Sequence, residues 1–255
     1  MKHIKTIGVL GGMGPRASAK FYDLLITCAQ KDFGAVQDAE YPHIVLNSLS
    51  LRGSSESGMT KSSLIVNQLT AGAQVLEAAG AEFLVIPCNS VHHSLAEIQD
   101  AVSIPVLSIV EATANRVNQT GIQKALLLSS ETTHDSALYE PHLNGVMLVY
   151  PAARIRHALN KIIASVMGGT DAERAKSLVV QLLQDCAKTK KVDAAILGCT
   201  ELPLVIQQAD TDLPLFNSLD ALAKTAIQYA YSSQYAHNNG GGVHGQPNQA
   251  LHATA

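Results

Sequence analysis

Short apolar runs alternate with longer amphipathic segments along most of the chain. The apolar runs predict strands, over residues 6–10, 43–47, 82–86, 105–109, 124–128, 146–150, 193–197 and 214–216. The amphipathic segments predict helices, chiefly over residues 16–29, 61–79, 154–167, 171–188 and 220–231, with one ending near residue 101 and another after residue 133. This alternation is typical of parallel sheets with helices on both faces, so we predict an α/β fold.

Two segments interrupt this alternation. Residues 49–59 are rich in serine and glycine, which predicts a loop. Residues 233–255 contain three consecutive glycines, three histidines and no apolar periodicity. We predict a flexible tail there.

Composition narrows the class of protein. The chain has 255 residues, of which 47% are hydrophobic and 15% charged, enough for one large domain or two ordinary ones. The net charge of -3 offers no strong attraction to nucleic acid or to an anionic membrane, so neither is expected as a partner. No apolar run approaches the ~20 residues that span a bilayer, and no signal-peptide core follows Met1. We predict a cytoplasmic protein.

The cysteines occur in two kinds of sequence context. Cys28 and Cys186 lie in amphipathic segments with apolar neighbours, which predicts buried, structural thiols. Cys88 and Cys199 instead end two matching segments, 81–90 and 192–201, that share an acidic residue, an apolar strand, one proline or glycine, the cysteine and a small polar residue. The downstream sequence matches as well, since Pro105 and Pro214 each precede an acidic residue and an alanine, Glu111-Ala112 and Asp220-Ala221. This ordered series predicts two structurally related halves.

The repeated junction suggests a chemistry. Ligands of open parallel sheets bind beyond the carboxyl ends of the strands, where Cys88 and Cys199 are expected. Exposure to a cleft and backbone N–H donors would favour the thiolate there. Two thiols that face one carbon from opposite sides could remove a proton and return one on the other face, which inverts the centre.

A metal site is an alternative interpretation of the same residues. Cys88 and His92 are four positions apart, and Glu201 follows Cys199 by two, so these four side chains could bind zinc. The C-x-x-C spacing of typical zinc sites is missing, and the thiol pair is preferred. For His92 alone, two roles stay open: it polarises Cys88 or it holds the following helix in place.

Three motifs carry a resemblance to a known family. They are IGVLGGMGP at residues 7–15, PCNSVH at 87–92 and LGCTEL at 197–202. The chain resembles the aspartate/glutamate racemase superfamily, the PLP-independent amino-acid racemases, over roughly residues 5–231. Glutamic acid after Cys-Thr is typical of the aspartate racemase branch, whereas glutamate racemases carry histidine there.

The resemblance implies an architecture and a catalytic pair. It implies two pseudo-symmetric three-layer αβα domains with mainly parallel sheets, an active site in the cleft between them, and often a homodimer. We place residues 1–112 and 217–232 in the first domain, 113–216 in the second, and 233–255 in the tail. Cys88 and Cys199 would be the catalytic residues, with no cofactor and no metal.

Polar residues near the two cysteines are candidates for substrate binding. Asn89, Ser90 and Thr200 could stabilise the negative charge that develops during proton removal. In the second half, Ser130, Thr132 and Thr133 could bind the α-carboxylate or the α-amine, or cap a helix, and for Ser129 capping is preferred. The remaining candidates are Met13 in the glycine-rich turn, Asn47 at a strand end, and Glu201. Met13 could equally belong to the apolar core. The turn itself is neither a P-loop nor a dinucleotide fingerprint.

The resemblance bears on substrate choice as well. Aspartate racemases hold the side-chain carboxylate with an arginine and a lysine. Arg52 matches the arginine, and a guanidinium suits a carboxylate. The lysine position falls at Met167, where this chain departs from the pattern. Lys161, Arg154 or Arg156 could compensate, although surface helix positions explain them equally well.

The sequence therefore predicts a cofactor-independent amino-acid racemase that uses Cys88 and Cys199 as its two acid/base groups. Its partner is a small amino-acid or dicarboxylate substrate, and a homodimer is expected. One alternative is an isomerase or decarboxylase of a small dicarboxylic acid. The other is a catalytically silent protein that binds a small ligand.

Overall fold

Two four-stranded sheets form the frame of the structure, a computed structural model that describes residues 3–53, 63–169 and 172–235. Every strand pairing within these sheets is parallel. Helices flank the sheets, so the predicted α/β class is confirmed. None of the helices in the described segments is long and apolar enough to span a bilayer.

The first sheet comes from the first half of the chain. Its strands are β1 (Ile7–Gly11), β2 (Ile44–Ser48), β3 (Phe83–Val85) and β4 (Val106–Leu107), which pair in the order β2-β1-β3-β4. The accompanying helices are α1 (Pro15–Phe33), α2 (Ser63–Ala78), α3 (Leu95–Asp100) and α4 (Ile109–Asn118). β1 and β3, the two central strands, are buried along their whole length, which explains their continuous apolar sequence.

The second sheet repeats this plan. Its strands are β5 (Lys124–Ser129), β6 (Met147–Val149), β7 (Ala194–Gly198) and β8 (Leu215–Asn217), in the order β6-β5-β7-β8. The helices are α5 (Glu131–Asp135), α6 (Ala153–Met167), α7 (Ala172–Lys190) and α8 (Ser218–Tyr235). β3 and β7 hold equivalent places in the two sheets, and each leads to a cysteine. The two related halves predicted from the repeat are confirmed.

One apolar core joins the two halves. It contains Val85 of β3, Ile196 of β7 and Leu222 of α8, all inaccessible to solvent. α8 follows the last strand of the second sheet, yet it packs against α1 and α4 of the first half. The division of the chain into residues 1–112 with 217–232, and 113–216, stays a prediction, and α4 crosses its boundary at residue 112.

The structure differs from the sequence prediction in three places, of which the first is α5, which begins at Glu131 rather than after residue 133. The predicted strand 105–109 ends earlier, because the Ser108 side chain accepts a hydrogen bond from the Glu111 N–H at 3.2 Å and caps α4. Sequence analysis missed α4, since its first residues are apolar and fit a strand equally well. The helix predicted to end near residue 101 begins as a 3-10 turn over Ser90–Ser94, and α3 follows it.

Parts of two predicted irregular segments lie outside the described residues. Of the predicted loop 49–59, the structure describes residues 49–53. α8 extends to Tyr235, into the segment predicted as a tail, and residues 236–255 are beyond the described part.

A glycine turn follows β1 and positions the start of α1. Gly12 has a φ of +94°, and a Cβ at this position would lie 2.3 Å from the Leu49 carbonyl oxygen. Only glycine fits such a conformation and such a close approach without displacement. The Ser18 hydroxyl accepts from the Gly12 N–H and donates to the Gly14 carbonyl, both at 2.9 Å. The turn is therefore held in one place beside the loop that follows β2.

Candidate active site

The two repeated cysteines lie beyond the carboxyl ends of equivalent strands. Cys199 directly follows β7, and Cys88 follows β3 after a short extension through Ile86 and Pro87. Each cysteine is only 7% exposed. The two thiols are close enough that charge on Cys88 affects the pKa of Cys199. The structure thus brings the thiols of the two halves together, although it buries them more deeply than the sequence suggested.

The thiols are held in their protonated form. Burial, followed by the nearby charge of Glu201, raises the pKa of Cys88 to about 12, although the N–H groups of Val91 and Ser90 oppose this by bonding to its sulfur. The same two causes raise the pKa of Cys199 well above that of an ordinary thiol. The expectation that backbone donors would favour the thiolate is therefore wrong, because desolvation outweighs them.

Glu201 connects Cys199 to the glycine turn of the other half. Its carboxylate, in a residue 4% exposed, accepts from the Cys199 thiol at 3.3 Å and from the Thr200 hydroxyl at 3.2 Å. It also accepts from the Gly14 N–H, and Glu201 Oε1 lies 2.8 Å from where a Cβ of Gly14 would be. Burial raises the pKa of Glu201 despite these donors. The acid group is thus placed to exchange a proton with Cys199.

His92 is bound to the backbone on both ring nitrogens. The Ile109 N–H donates to Nε2 at 3.1 Å, so Nδ1 carries the proton and donates to the Cys88 carbonyl at 2.8 Å. Burial lowers the pKa of His92 to about 4, and the ring is neutral near pH 7. The ring therefore has a structural role, but it ties the Cys88 segment to α4 and not to the helix that directly follows His92, as predicted.

The alternative zinc site does not assemble. Neither nitrogen of His92 is available as a ligand for a metal shared with Cys88 and Cys199. Among the residues described, the one group of three potential ligand side chains with converging atoms is Glu131, His134 and Asp135, which does not include these thiols.

Asn89 is part of a buried network between the halves. The Tyr139 hydroxyl donates to Asn89 Oδ1 at 2.6 Å, and Asn89 Nδ2 donates to the Ser218 hydroxyl at 3.1 Å. Ser218 in turn donates to the Leu197 carbonyl of β7 at 2.7 Å. The predicted substrate-binding side chain of Asn89 is therefore engaged within the protein. Sequence reasoning missed Tyr139 and Ser218, which belong to none of the motifs.

Three predicted hydroxyl residues form a cluster across the two halves. Ser90 Oγ lies 2.8 Å from Ser130 Oγ and 3.3 Å from Thr133 Oγ1. Ser130 caps α5 by accepting from the Thr133 N–H, so the preference for Ser129 as the cap is wrong. Ser129 is the last residue of β5, and Thr132 is half-buried beside the cluster.

The other predicted binding residues lie in different environments. Thr200 is buried and bonded to Glu201, and Met13 packs in the apolar cluster that contains Cys88. Asn47 Nδ2 donates to the Gly72 carbonyl of α2 at 3.3 Å. Arg52 is exposed, and its backbone is held by the Gln68 side chain through bonds of 3.0 and 2.9 Å.

The sequence of this chain matches a known protein family. Residues 10–226 match the sequence model of the family described as Asp/Glu/Hydantoin racemase. The chain belongs to this family. It is 31% identical over 231 residues to the broad specificity amino-acid racemase RacX of Bacillus subtilis strain 168, an alignment covering 89% of this chain and all of RacX.

Solved structures of racemase homologues share the fold. The aspartate racemase of Picrophilus torridus superposes with a TM-score of 0.76 and 26% identity, covering 90% of this chain and 98% of that one. An aspartate racemase homologue from Pyrococcus horikoshii OT3 gives a TM-score of 0.73 and 28% identity, with 89% and 99% coverage. The two-domain α/β architecture implied by the resemblance is thus confirmed.

The departure from the racemase pattern at residue 167 lies near the site. Met167 Cε is 3.8 Å from the position a Cβ of Gly14 would take, the same point that Glu201 approaches. The suggested replacements for a lysine here lie elsewhere: Arg154 and Lys161 line a groove of about 750 Å³ between α6 and α7. Arg156 pairs with Glu131 at 3.4 Å.

Proposed function

We propose that this protein is a cofactor-independent amino-acid racemase in which Cys88 and Cys199 exchange protons with opposite faces of the α-carbon. The observation that carries the proposal is the placement of two electrostatically coupled, buried thiols after equivalent strands of two sheets with the same strand order. Inversion requires one acid/base group on each face of the reacting carbon, and this arrangement supplies such a pair.

The proposed reaction moves two protons. One cysteine, as the thiolate, takes the proton from the α-carbon, and the electron pair left behind delocalises into the α-carboxylate. The other cysteine, as the thiol, gives its proton to the opposite face and becomes the thiolate. The two residues exchange roles when the other enantiomer enters.

The raised pKa values of the thiols constrain how this cycle begins. The positive α-ammonium group of an amino acid beside both sulfurs would stabilise the thiolate and lower the pKa of each thiol. Glu201 would take the proton of Cys199 along their 3.3 Å hydrogen bond, which leaves a thiolate beside a neutral carboxylic acid and avoids two negative charges in a buried site. The sequence suggested that Glu201 binds substrate. We propose instead that Glu201 positions Cys199 and accepts its proton.

Two of the proteins that resemble this chain support the proposal. One relative is a broad specificity amino-acid racemase and one structural neighbour is an aspartate racemase. Independence from PLP is our proposal, resting on the thiol pair and on the resemblance. The homodimer and the cytoplasmic location stay predictions from the sequence.

Proton NMR in deuterated water tests the two-thiol mechanism. Purified protein freed of PLP is incubated with separate L- and D-amino acids, and loss of the α-proton signal is followed together with chiral analysis. We expect the wild type to exchange and invert both enantiomers. Cys88→Ser and Cys199→Ser should each lose net inversion by 10³-fold or more, and each should still exchange the α-proton of one enantiomer, a different one in each variant.

The matched control is Cys186→Ser, which changes a buried cysteine of α7 and should leave inversion intact. Net inversion by either single catalytic-site variant at the wild-type rate would overturn the mechanism. Release of carbon dioxide would favour the decarboxylase, and saturable binding without α-proton exchange would favour the silent ligand-binding protein.

A further inference from the structure

Tyr139 lies between the two segments that carry the thiols. It follows α5 in the second half and is inaccessible to solvent. Its hydroxyl donates at 2.6 Å to Oδ1 of Asn89, the residue directly after Cys88. Its ring atom Cε2 lies 3.4 Å from the position that a Cβ of Gly198, the residue directly before Cys199, would occupy. One side chain thus lies against the immediate neighbours of both cysteines.

The hydrogen bonds around Asn89 have a single consistent direction. The Leu197 carbonyl can only accept, so the Ser218 hydroxyl donates to it at 2.7 Å and accepts from Asn89 Nδ2 at 3.1 Å. Asn89 Oδ1 is then the acceptor that faces Tyr139. Burial raises the pKa of Tyr139, which keeps the donated proton on its hydroxyl. The bonds therefore run without a break from Tyr139 to β7, two residues before Cys199.

Burial makes this network a precise connection between the two halves. The apolar core also holds the halves together, but apolar contacts have no preferred direction. Hydrogen bonds weaken as soon as their groups move apart or tilt, and a buried polar group that loses its partner is costly. Asn89, Tyr139 and Ser218 are each at most 2% exposed, so water does not replace a lost partner. The network therefore resists small displacements of one half against the other.

We propose that Tyr139 is a positioning residue that sets the spacing between the sulfurs of Cys88 and Cys199. The proposal rests on the proposed racemase function and adds how the two thiols are kept on opposite faces of one carbon. Inversion takes a proton on one face and delivers one on the other, so it depends on the placement of both sulfurs at once. A displacement of about 1 Å at a reacting group can lower the rate by about 100-fold.

The ratio of two rates tests this role. In deuterated water, the amino acid that the wild type inverts fastest is supplied as one enantiomer. The appearance of the other enantiomer is measured together with the uptake of deuterium into the recovered starting enantiomer. Uptake with retention needs one thiol, whereas inversion needs both. Tyr139→Phe, which keeps the ring, should slow inversion by about 10- to 100-fold and uptake with retention by less than about threefold.

Ser218→Ala breaks the same network on the other side of Asn89 and should change this ratio in the same direction. Tyr231→Phe is the matched control, because it removes the hydroxyl of a buried tyrosine that donates to the Glu40 carbonyl outside this network. It should leave both rates at their wild-type values. Equal slowing of inversion and uptake in Tyr139→Phe would overturn the proposal, since a loosened fold affects both. An unchanged inversion rate would overturn it as well.

Cross-linking separates this inference from the racemase proposal. Replacing Cys28 and Cys186 by alanine leaves Cys88 and Cys199 as the two remaining thiols. Bis-methanethiosulfonates with short, medium and long spacers are added, and mass spectrometry measures the fraction of protein in which one reagent joins both sulfurs. We expect one spacer length to dominate in this reference protein, and Tyr139→Phe to spread the cross-links over neighbouring lengths.

The two proposals fail in different ways. If the wild type racemises no amino acid yet Tyr139→Phe spreads the cross-links, the racemase proposal fails while the positioning role of Tyr139 stands. Identical length profiles with and without the hydroxyl would overturn the role of Tyr139, whatever the activity of the wild type.

Discussion

The thiol of Cys199 donates a hydrogen bond to Glu201 Oε2 over 3.3 Å, in a region where both residues are buried. The same carboxylate accepts from the Gly14 N–H in the other half of the chain. The protonation of one candidate catalytic group is therefore coupled to the contact between the two halves. The charge of Glu201 also raises the pKa of Cys88.

Replacing Glu201 by glutamine should make Cys199 more acidic. After burial, the charge of Glu201 is the largest cause that raises the pKa of Cys199, and a neutral amide removes that charge. In a Cys88→Ser background, the midpoint of Cys199 alkylation by iodoacetamide should move to lower pH. Racemisation measured with Cys88 intact should fall by about 100-fold, because the thiol loses its proton partner.

Glu173→Gln, a change on the exposed face of α7, is the control for this experiment. It should leave both the alkylation midpoint and the rate unchanged. An alkylation midpoint in Glu201→Gln equal to that of the reference protein would contradict the coupling between Glu201 and Cys199.

Removing the hydroxyl of Tyr139 should destabilise the junction between the halves. Tyr139→Phe removes the 2.6 Å hydrogen bond to Asn89 and leaves Asn89 Oδ1 buried without that donor. We expect the free energy of unfolding to fall by about 1–3 kcal/mol, measured by urea denaturation at pH 7.5. Tyr22→Phe, at a side chain 47% exposed, should change it by less than about 0.5 kcal/mol. Equal effects of the two variants would argue against the network.

His92 should make the fold less stable in mild acid. Its pKa is lowered to about 4 by burial, whereas an unfolded histidine has a pKa near 6.5, so between these values the unfolded chain binds more protons. Stability is therefore lost as pH falls below about 6.5. The contribution of His92 to this loss between pH 7.5 and pH 5 is about 2 kcal/mol.

Urea denaturation of His92→Asn at both pH values isolates this contribution, since asparagine does not titrate. The variant should lose about 2 kcal/mol less than the wild type over the same pH interval. His157→Asn replaces an exposed histidine of α6 and should retain the wild-type pH dependence. The same pH dependence in His92→Asn and the wild type would refute a neutral, buried His92.

A methyl group at Gly12 should disrupt the turn beside the site. Gly12→Ala would place a Cβ 2.3 Å from the Leu49 carbonyl oxygen at a φ of +94°, so the backbone must shift. We expect a loss of about 2–4 kcal/mol in the free energy of unfolding. Gly121→Ala is the control, because a Cβ there meets nothing within 4 Å, and it should lie within about 0.5 kcal/mol of the wild type. Similar stabilities of the two variants would contradict this account of the turn.

Local sequence was sufficient where a structure depends on neighbouring residues. The central strands β1, β3, β5 and β7 are buried on both faces and are therefore continuously apolar, which made them recognisable. α4 was missed because a single hydroxyl, that of Ser108, decides between a strand and a capped helix within an apolar run. Either conformation buries Ile109, so hydrophobicity alone does not distinguish them.

The same distinction between local sequence and tertiary structure applies to the candidate site. The repeated strand-to-cysteine junction determined which thiols end equivalent strands, and the family motifs determined the fold to which they belong. Tertiary structure decided their environment: it buried both sulfurs, set Glu201 against Cys199, and engaged Asn89 with Tyr139. Burial and distance between remote residues set pKa values and hydrogen-bond partners, and neither quantity is encoded in local sequence spacing.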